Sequence, residues 1–244
     1  MKKFSFFSLI FIAIMLCTCI SSGYFLSSVI LSSRLFQTTS QISCETTTFY
    51  ALSLYESNKR EDLLPFINNL QSSNGAGHLF KQDNIYHIIT SIYNNVNDAE
   101  LVKNNLKLNN YESKILEIKV SQCSIEGNFE NQEKEILQKC FKINNELYNC
   151  LYDVAISLDT SVIDKTKAKL DCNTIYSNFI ATKTNFETFF KSDNLSEDLT
   201  TIANQLNQTD KFLSDLIAEN YETSSQTFSS LIKLTYCKIL LSNM

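Results

Sequence analysis

Tryptophan is absent from this chain of 244 residues, which has only one proline and four glycines. Because glycine and proline are the main punctuation of turns and loops, their scarcity excludes a loop-rich scaffold and favours long, uninterrupted elements. There are only two histidines, and no Cys-x-x-Cys pair occurs among the eight cysteines. Without the Cys/His spacing of a zinc site, we expect no bound metal.

A clustered basic surface is also missing. The net charge is -5 and the pI is about 5.2, and beyond Lys2 and Lys3 no Lys/Arg patch occurs. Since nucleic-acid phosphates require such a patch, we expect no nucleic-acid partner. A Gly-rich phosphate loop, a nucleophile motif and a carboxylate pair for acid–base work are missing too. We therefore expect a protein that is not an enzyme and carries no cofactor.

The N-terminus contains one long uncharged run, from residue 4 to residue 33, which ends before Arg34. About 20 apolar residues suffice to span a membrane, whereas the apolar core of a cleaved signal peptide has about 7 to 15. The run therefore predicts an uncleaved transmembrane helix within residues 1–36, with a signal peptide as the alternative. Lys2 and Lys3 place the N-terminus in the cytoplasm, so the rest of the chain would lie outside the membrane.

After a polar linker predicted at 37–48, the sequence repeats itself at an offset of 36 residues. SNKREDLLPFINNLQSSN, from Ser57, aligns with YNNVNDAELVKNNLKLNN, from Tyr93, so that Asn74 falls on Asn110. Each copy follows an apolar, aromatic-rich run, YALSLYES or YHIITSIY. A period of this length marks a repeated supersecondary unit, which predicts a βαββαβ domain over residues 49–122.

Local signals place the elements of this domain. Asp62 and Asp98 are predicted to cap its two helices, Pro65 suits the first turn of the first helix, and Asp83 with Asn84 predicts a hairpin turn. The predicted strands are residues 49–55, 76–82, 85–93 and 111–120. Two helices cover only one face of a four-stranded sheet, so we expect the other face to be open and available for binding.

The succession FYALSLYES, a helix, GAGHLFKQDNIYHIITSIYNNVNDAELVKNNL and NYESKILEIKV resembles the SPOR domain, the sporulation-related repeat of bacterial cell-envelope proteins, over about residues 46–122. The resemblance implies a ferredoxin/RNP-like fold. It also implies non-catalytic binding of peptidoglycan glycan strands on the open sheet face, at division or sporulation septa. The family's first strand commonly has Gln and, two residues later, Gly, where this chain has Ser53 and Tyr55.

Five residues are candidates for holding a glycan on that face, because sugars bind to hydrogen-bonding groups combined with flat aromatic rings. If the strands alternate regularly, these residues point to the same side: Ser53, Tyr55, His87, Ser91 and Tyr93. The alternative is that the two tyrosines cover sheet edges and that His87 is a solvated surface residue. His78 is also expected at the surface.

Residues 128–244 change to apolar stripes with alternating spacings of three and four, typical of an all-α antiparallel helical bundle. Turns at Asp159–Ser161 and at 192–194 separate three long helices, and a break near Glu222–Ser225 would make a fourth. Three cysteines on the stripes are expected to be small buried hydrophobes: Cys140, Cys172 and Cys237. A disulfide between Cys44 and Cys123 is left open.

Two functions follow for a single-pass protein of a bacterial cell membrane. In the first, the SPOR-like domain binds peptidoglycan glycan strands. In the second, the protein is a structural component of an envelope or sporulation assembly, and the helices of residues 128–244 self-associate or bind a protein partner.

Overall fold

The structure, a computed structural model, describes residues 40–43, 46–120, 124–191, 195–218 and 223–242. The predicted membrane anchor, both cysteines of the suggested disulfide and the turn predicted at 192–194 lie outside these residues. Within the described part of the chain, no helix combines the length and the apolar character needed to cross a membrane.

The chain has a mixed α+β fold in which strands and short helices come first and long helices follow. The elements are β1 (Ser40–Ser43), β2 (Thr47–Ser57), α1 (Leu64–Ser72), β3 (His78–Gln82), β4 (Ile85–Tyr93), α2 (Val96–Leu108), β5 (Lys114–Val120), β6 (Ser124–Gly127), α3 (Asn131–Asp159), α4 (Lys165–Phe189), α5 (Glu197–Ile217) and α6 (Ser225–Leu241). The strand, helix, strand, strand, helix, strand order predicted from the repeat is present from β2 to β5. The break before α6 confirms the alternative of a fourth long helix.

The described residues fall into two compact units. The larger comprises Ile42–Ile125 and the chain from Phe129 onward, so it includes both the four-stranded sheet and the long helices. The smaller contributes only residues 40–41 and 126–128 to the described part. All sites discussed below belong to the larger unit.

The four-stranded sheet has the order β3–β4–β2–β5, and each neighbouring pair is antiparallel. β3 and β4 form the predicted hairpin, in which Asp83 and Asn84 have φ angles of 50° and 64°. Two consecutive positive φ angles are typical of the type I′ turn, which suits the twist of a hairpin. β1 pairs with β6 in a separate two-stranded sheet, so the segment predicted as a linker at 37–48 contains a strand.

The repeat is visible in the backbone at the ends of α1 and α2. Asn74 and Asn110, which align in the two copies, both have left-handed conformations, with φ angles of 70° and 63°. The N–H that follows Asn74 donates to the Leu70 carbonyl at 2.8 Å, and the N–H that follows Asn110 donates to the Leu106 carbonyl at 3.0 Å. This is the Schellman ending, and asparagine tolerates the required conformation.

The helix starts differ from the prediction. Leu63 occupies the N-cap of α1, while Asp62 accepts a hydrogen bond from the Ser57 hydroxyl at 2.8 Å. The N-cap of α2 is Asn95, whose side chain accepts from the N–H two residues later, and Asp98 lies in the first turn. Both predicted aspartate caps are therefore wrong, because Asp62 belongs to a short 3-10 turn that precedes Leu63, and Asp98 lies inside α2 after the extended Asn95. Proline in the first turn of α1 is confirmed.

The prediction of an open sheet face is wrong. Phe49 and Ala51 point to one side of β2 and are paired with Ile118 and Leu116 of β5. All four belong to one continuous buried core with the long helices, and the rings of Phe49 and Tyr148 lie 5.0 Å apart in an edge-to-face contact. The residues on this face are apolar, so burying them against helices is more favourable than leaving them in water.

Helix α6 is the element that joins the sheet to the long helices. It contacts β3, β4, α1, α3 and α5, and nearly every position is buried from Phe228 to Leu241. A helix that is buried on all sides can only lie in the interior of a domain. The Tyr236 hydroxyl lies 2.7 Å from the Ser91 hydroxyl of β4, and both side chains are buried.

The stripes predicted in the long helices face the interior. Cys140, Cys172 and Cys237 are buried free thiols, as expected, and burial raises the pKa of the first two to about 12.

His78 differs from its prediction as a surface residue. It is half-buried, and burial, followed by the charge of Lys238, lowers its pKa to about 4.

Replacing Tyr236 with Phe should lower the free energy of unfolding by about 1–3 kcal/mol, because the buried Ser91 hydroxyl loses this partner. The double variant with Ser91→Ala should recover part of that loss, since neither side then has an orphaned group. Urea unfolding followed by circular dichroism measures both. Tyr111→Phe, at an exposed position, should change stability by less than about 0.5 kcal/mol. Strict additivity of the two buried substitutions would contradict the contact.

His78 should make stability fall as the pH falls. The folded protein holds the imidazole neutral down to about pH 4, whereas the unfolded chain takes up the proton below about pH 6.5. The contribution of neutral His78 to the free energy of unfolding is therefore complete above pH 6.5, and it is lost as the pH falls toward 4. Between pH 7.5 and pH 5, wild type should lose about 2 kcal/mol more than His78→Gln in urea unfolding. Equal losses of unfolding free energy in wild type and His78→Gln would refute the lowered pKa of His78.

Candidate functional site

A groove of about 680 Å³ lies between α1 and α2 on the sheet. Its aliphatic lining comes from β2, both short helices and the end of α3: Leu52, Leu54, Leu70, Leu101, Val102, Leu106 and Ile156. Aromatic side chains add to this lining: Tyr55, Phe66, Tyr93, Tyr111 and Tyr152. We call this cavity the α1–α2 groove.

The groove exists because α1 and α2 bury little of themselves. No residue of α1 is buried, and Ala99 is the one buried residue of α2. Ala99 packs with Leu52 and Tyr93 in a small core of its own, separate from the main one. The two helices therefore leave a gap between their facing apolar side chains instead of closing over the sheet.

Equivalent positions of the two repeat copies line the groove from opposite sides. Phe66 of α1 corresponds to Val102 of α2, and Leu70 corresponds to Leu106. In the strands, Tyr55 corresponds to Ser91, and both also contribute to the lining. The groove is thus built where the two copies of the repeated unit meet.

A compact polar cluster forms one end of the groove. The Lys233 ammonium of α6 lies 2.6 Å from the Asp159 carboxylate at the end of α3, and their side chains are only 10% and 21% exposed. Lys233 also donates to the Asn74 carbonyl at 2.8 Å. The Asn74 amide and the Ser229 hydroxyl donate to Asp159 at 2.8 Å and 2.6 Å. These contacts tie the C-terminal ends of α1 and α3 to α6.

Two tyrosine rings lie beside this cluster. The centroids of Tyr93 and Tyr152 are 6.2 Å apart, in an edge-to-face arrangement. Burial raises the pKa of Tyr93 to about 12, and burial, followed by the negative charge of Asp98, raises the pKa of Tyr152. Both phenols are therefore protonated at neutral pH, so they can offer rings and hydroxyl groups but no phenolate.

The structure separates the five residues predicted from the sequence. Tyr55, Ser91 and Tyr93 line the α1–α2 groove, which lies on the side of the sheet that faces α1 and α2. Ser53 does not line it, and its hydroxyl donates to the carbonyl of Tyr55 at 3.1 Å. His87 is also outside the groove lining.

The prediction that all five side chains share one face fails because the pairing of β2 with β4 is irregular in both strands. It shifts between Leu52 and Ser53, where β4 has the extra residue Thr90, and again between Ser53 and Tyr55, where β2 has the extra residue Leu54. Each such irregularity adds a residue to one strand and changes which face the following side chains occupy. Sequence alternation alone cannot reveal it.

His87 is buried, with 3% of its surface exposed, so its interpretation as a solvated residue is wrong. Its Nδ1 lies 3.5 Å from the Glu56 carboxylate and makes no hydrogen bond in the structure. Burial lowers the pKa of His87, with Glu56 opposing this effect. The separation is long for a hydrogen bond, so we treat His87 as neutral at physiological pH.

The residues that sequence reasoning missed are mainly aliphatic or distant in the chain. Val102 and Leu106 carry no chemical motif, and only their repeat partners on α1, Phe66 and Leu70, could have suggested a shared cavity. Asp159 and Lys233 are 74 residues apart, and no sequence signal links them. Among the described residues, no group of three or more His, Cys, Asp and Glu side chains could hold a metal ion.

Comparison of the chain with protein-family models, with curated proteins and with solved structures gave no match. The resemblance to SPOR domains therefore stays a prediction, and the geometry of the groove carries the functional argument.

Replacing Lys233 with Met should lower the free energy of unfolding by about 2–4 kcal/mol, because Asp159 loses its counter-charge in a partly buried place. Lys167 is a matched control, since it pairs with Asp171 on the surface of α4 and is 54% exposed. Lys167→Met should cost less than about 1 kcal/mol. Urea unfolding measures the two variants, and similar losses would contradict the role given to Lys233.

Proposed function

We propose that this chain is a non-catalytic binding protein that holds a small amphiphile by its apolar chain in the α1–α2 groove. One observation carries the proposal. Of ten large apolar side chains that are exposed in the described part of the chain, four surround this groove: Phe66, Leu101, Tyr111 and Ile156. Their exposed fractions range from 38% to 64%.

Such a concentration of exposed apolar groups is unfavourable in water unless a ligand or partner covers it. Sites for small molecules are largely apolar clefts of roughly 300–1,000 Å³ with a few polar groups that fix orientation. The groove has a volume in this range, and its apolar lining is joined by a charged cluster where α1 and α3 end. An elongated apolar chain with a polar head matches both features.

The groove supports a binding role better than a catalytic one. The charged groups at its polar end, Asp159 and Lys233, are already paired with each other at 2.6 Å. The neighbouring phenols of Tyr93 and Tyr152 have raised pKa values because they are buried. Neither pair offers an activated nucleophile beside a free base.

The two functions predicted from the sequence fit this geometry unequally. Helices cover the sheet face on which peptidoglycan glycan was expected. In the groove, aliphatic and aromatic side chains together make up more of the lining than polar ones, which favours an apolar chain over a glycan. A scaffold role would use the helices of residues 128–244. The surfaces of α3 and α6 that pack on the sheet are not accessible to a partner, so such a role would need other helix surfaces. In our proposal residues 4–33 anchor the protein in a bacterial cell membrane, and the groove acts outside it.

Photolabelling of the full chain tests the proposal. A long-chain alcohol carrying a diazirine on its chain should label α1 and α2 peptides around Phe66 and Val102, as mapped by mass spectrometry. Leu101→Ser should reduce labelling of those peptides about threefold to tenfold, because it removes apolar area at the mouth of the groove.

Leu108→Ser is the matched control for this experiment. Leu108 is on the same helix and is 82% exposed, but it does not line the groove. Its replacement should leave labelling unchanged. Labelling confined to other parts of the chain, or equal losses from both leucine variants, would refute the proposed function.

A further inference from the structure

We infer that the α1–α2 groove selects amphiphiles with a positively charged head, which lies between Asp98 and Asp159 against the ring of Tyr152. The ligand class is thus an alkylammonium type, with an apolar chain along the groove. This inference rests on the proposed function and specifies its ligand.

The charged side chains of the lining are two carboxylates and one ammonium group. Lys233, the ammonium, is already paired with Asp159 at 2.6 Å and donates to the Asn74 carbonyl. Asp98 is exposed at the groove, and among the described residues it has no ion-pair partner. The lining therefore carries a net negative charge that a cationic ligand would neutralise.

The C-terminal ends of two helices add to this negative potential, whereas the N-terminus of α2, with Asp98 in its first turn, opposes part of it. α1 ends at Ser72 and α3 ends at Asp159, and residues from both ends line the groove. The C-terminus of a helix carries a partial negative charge of about half an elementary charge, from carbonyl groups without helical partners. Lys233 is positioned at these two ends, which accounts for a lysine in a nearly buried position. A second cation would be attracted to the same place, and an anion would be repelled.

Aromatic rings complete the recognition of a cation. The ring of Tyr152 is only half-buried and lies 6.2 Å from the ring of Tyr93, beside the acidic groups. Asp98 is close enough for its charge to raise the pKa of Tyr152. An ammonium group placed between a carboxylate and an aromatic face gains from both, and quaternary ammonium groups are recognised in this way.

Competition against the diazirine-bearing alcohol on the full chain tests the inference. The competitors are decyltrimethylammonium, decanol and decanoate, all below their aggregation or solubility limits. The cation should halve groove labelling at a concentration about five- to tenfold lower than decanol, and decanoate should be the weakest.

Asp98→Asn should bring the cation within about twofold of decanol, because it removes one charge at constant shape. Asp62→Asn is the matched control, since Asp62 occupies the equivalent position in the first repeat copy and does not line the groove. It should preserve the full preference for the cation.

The outcomes separate the two proposals. If the photoprobe does not label the groove, the proposed function fails and the ligand class fails with it. If the groove is labelled but the three competitors act at equal concentrations, charge selection is refuted while binding of an apolar chain stands. Equal effects of Asp98→Asn and Asp62→Asn would refute the placement of the cation at Asp98.

Discussion

Helix α6 is buried on every side, and this burial dictates how the sheet and the long helices pack. A helix with Phe228 and Ile232 buried on one side and Cys237 and Leu241 buried on the opposite side must be covered on more than one face. The long helices cover part of it, and β3, β4 and the end of α1 cover the remainder. The sheet and the long helices therefore share one hydrophobic core, with α6 at its centre.

This shared core moves the place where a ligand can bind. The sheet face that carries Phe49 and Ala51 is used for packing, so it has no surface left for a ligand. The opposite side is covered incompletely, because α1 buries none of its residues and α2 buries only Ala99. What remains accessible is the space between these helices, and α6 reaches it with Lys233.

The repeat explains the apolar walls of the groove and contributes Asp98, but it does not explain the polar cluster of Asp159 and Lys233. Its two copies supply matching positions, such as Leu70 and Leu106, and both helices end in the same way. Two similar units placed face to face give an apolar cleft with no preferred direction. Direction comes from outside the repeat, since Asp159 and Lys233 belong to α3 and α6 and make one end polar.

Much of the local structure could be read from the chain. The hairpin at Asp83 and Asn84 has residues that tolerate positive φ, and the stripes containing Cys140 and Cys172 have the helical period. Such features depend on neighbours a few residues apart. The cap predicted at Asp98 failed because Asn95 takes the same helix end, and the cap predicted at Asp62 failed because a 3-10 turn places Leu63 at the start of α1.

The succession of elements, the doubled unit and the apolar faces of the helices follow from the chain's local pattern, because periodicity and turn chemistry act over short distances. Long-range packing determines which sheet face is covered, where the pairing of β2 with β4 becomes irregular and which side chains meet in the groove. Those outcomes depend on contacts such as Ser91 with Tyr236 and Asp159 with Lys233. Such pairs are distant in the chain and meet only when the whole core is packed.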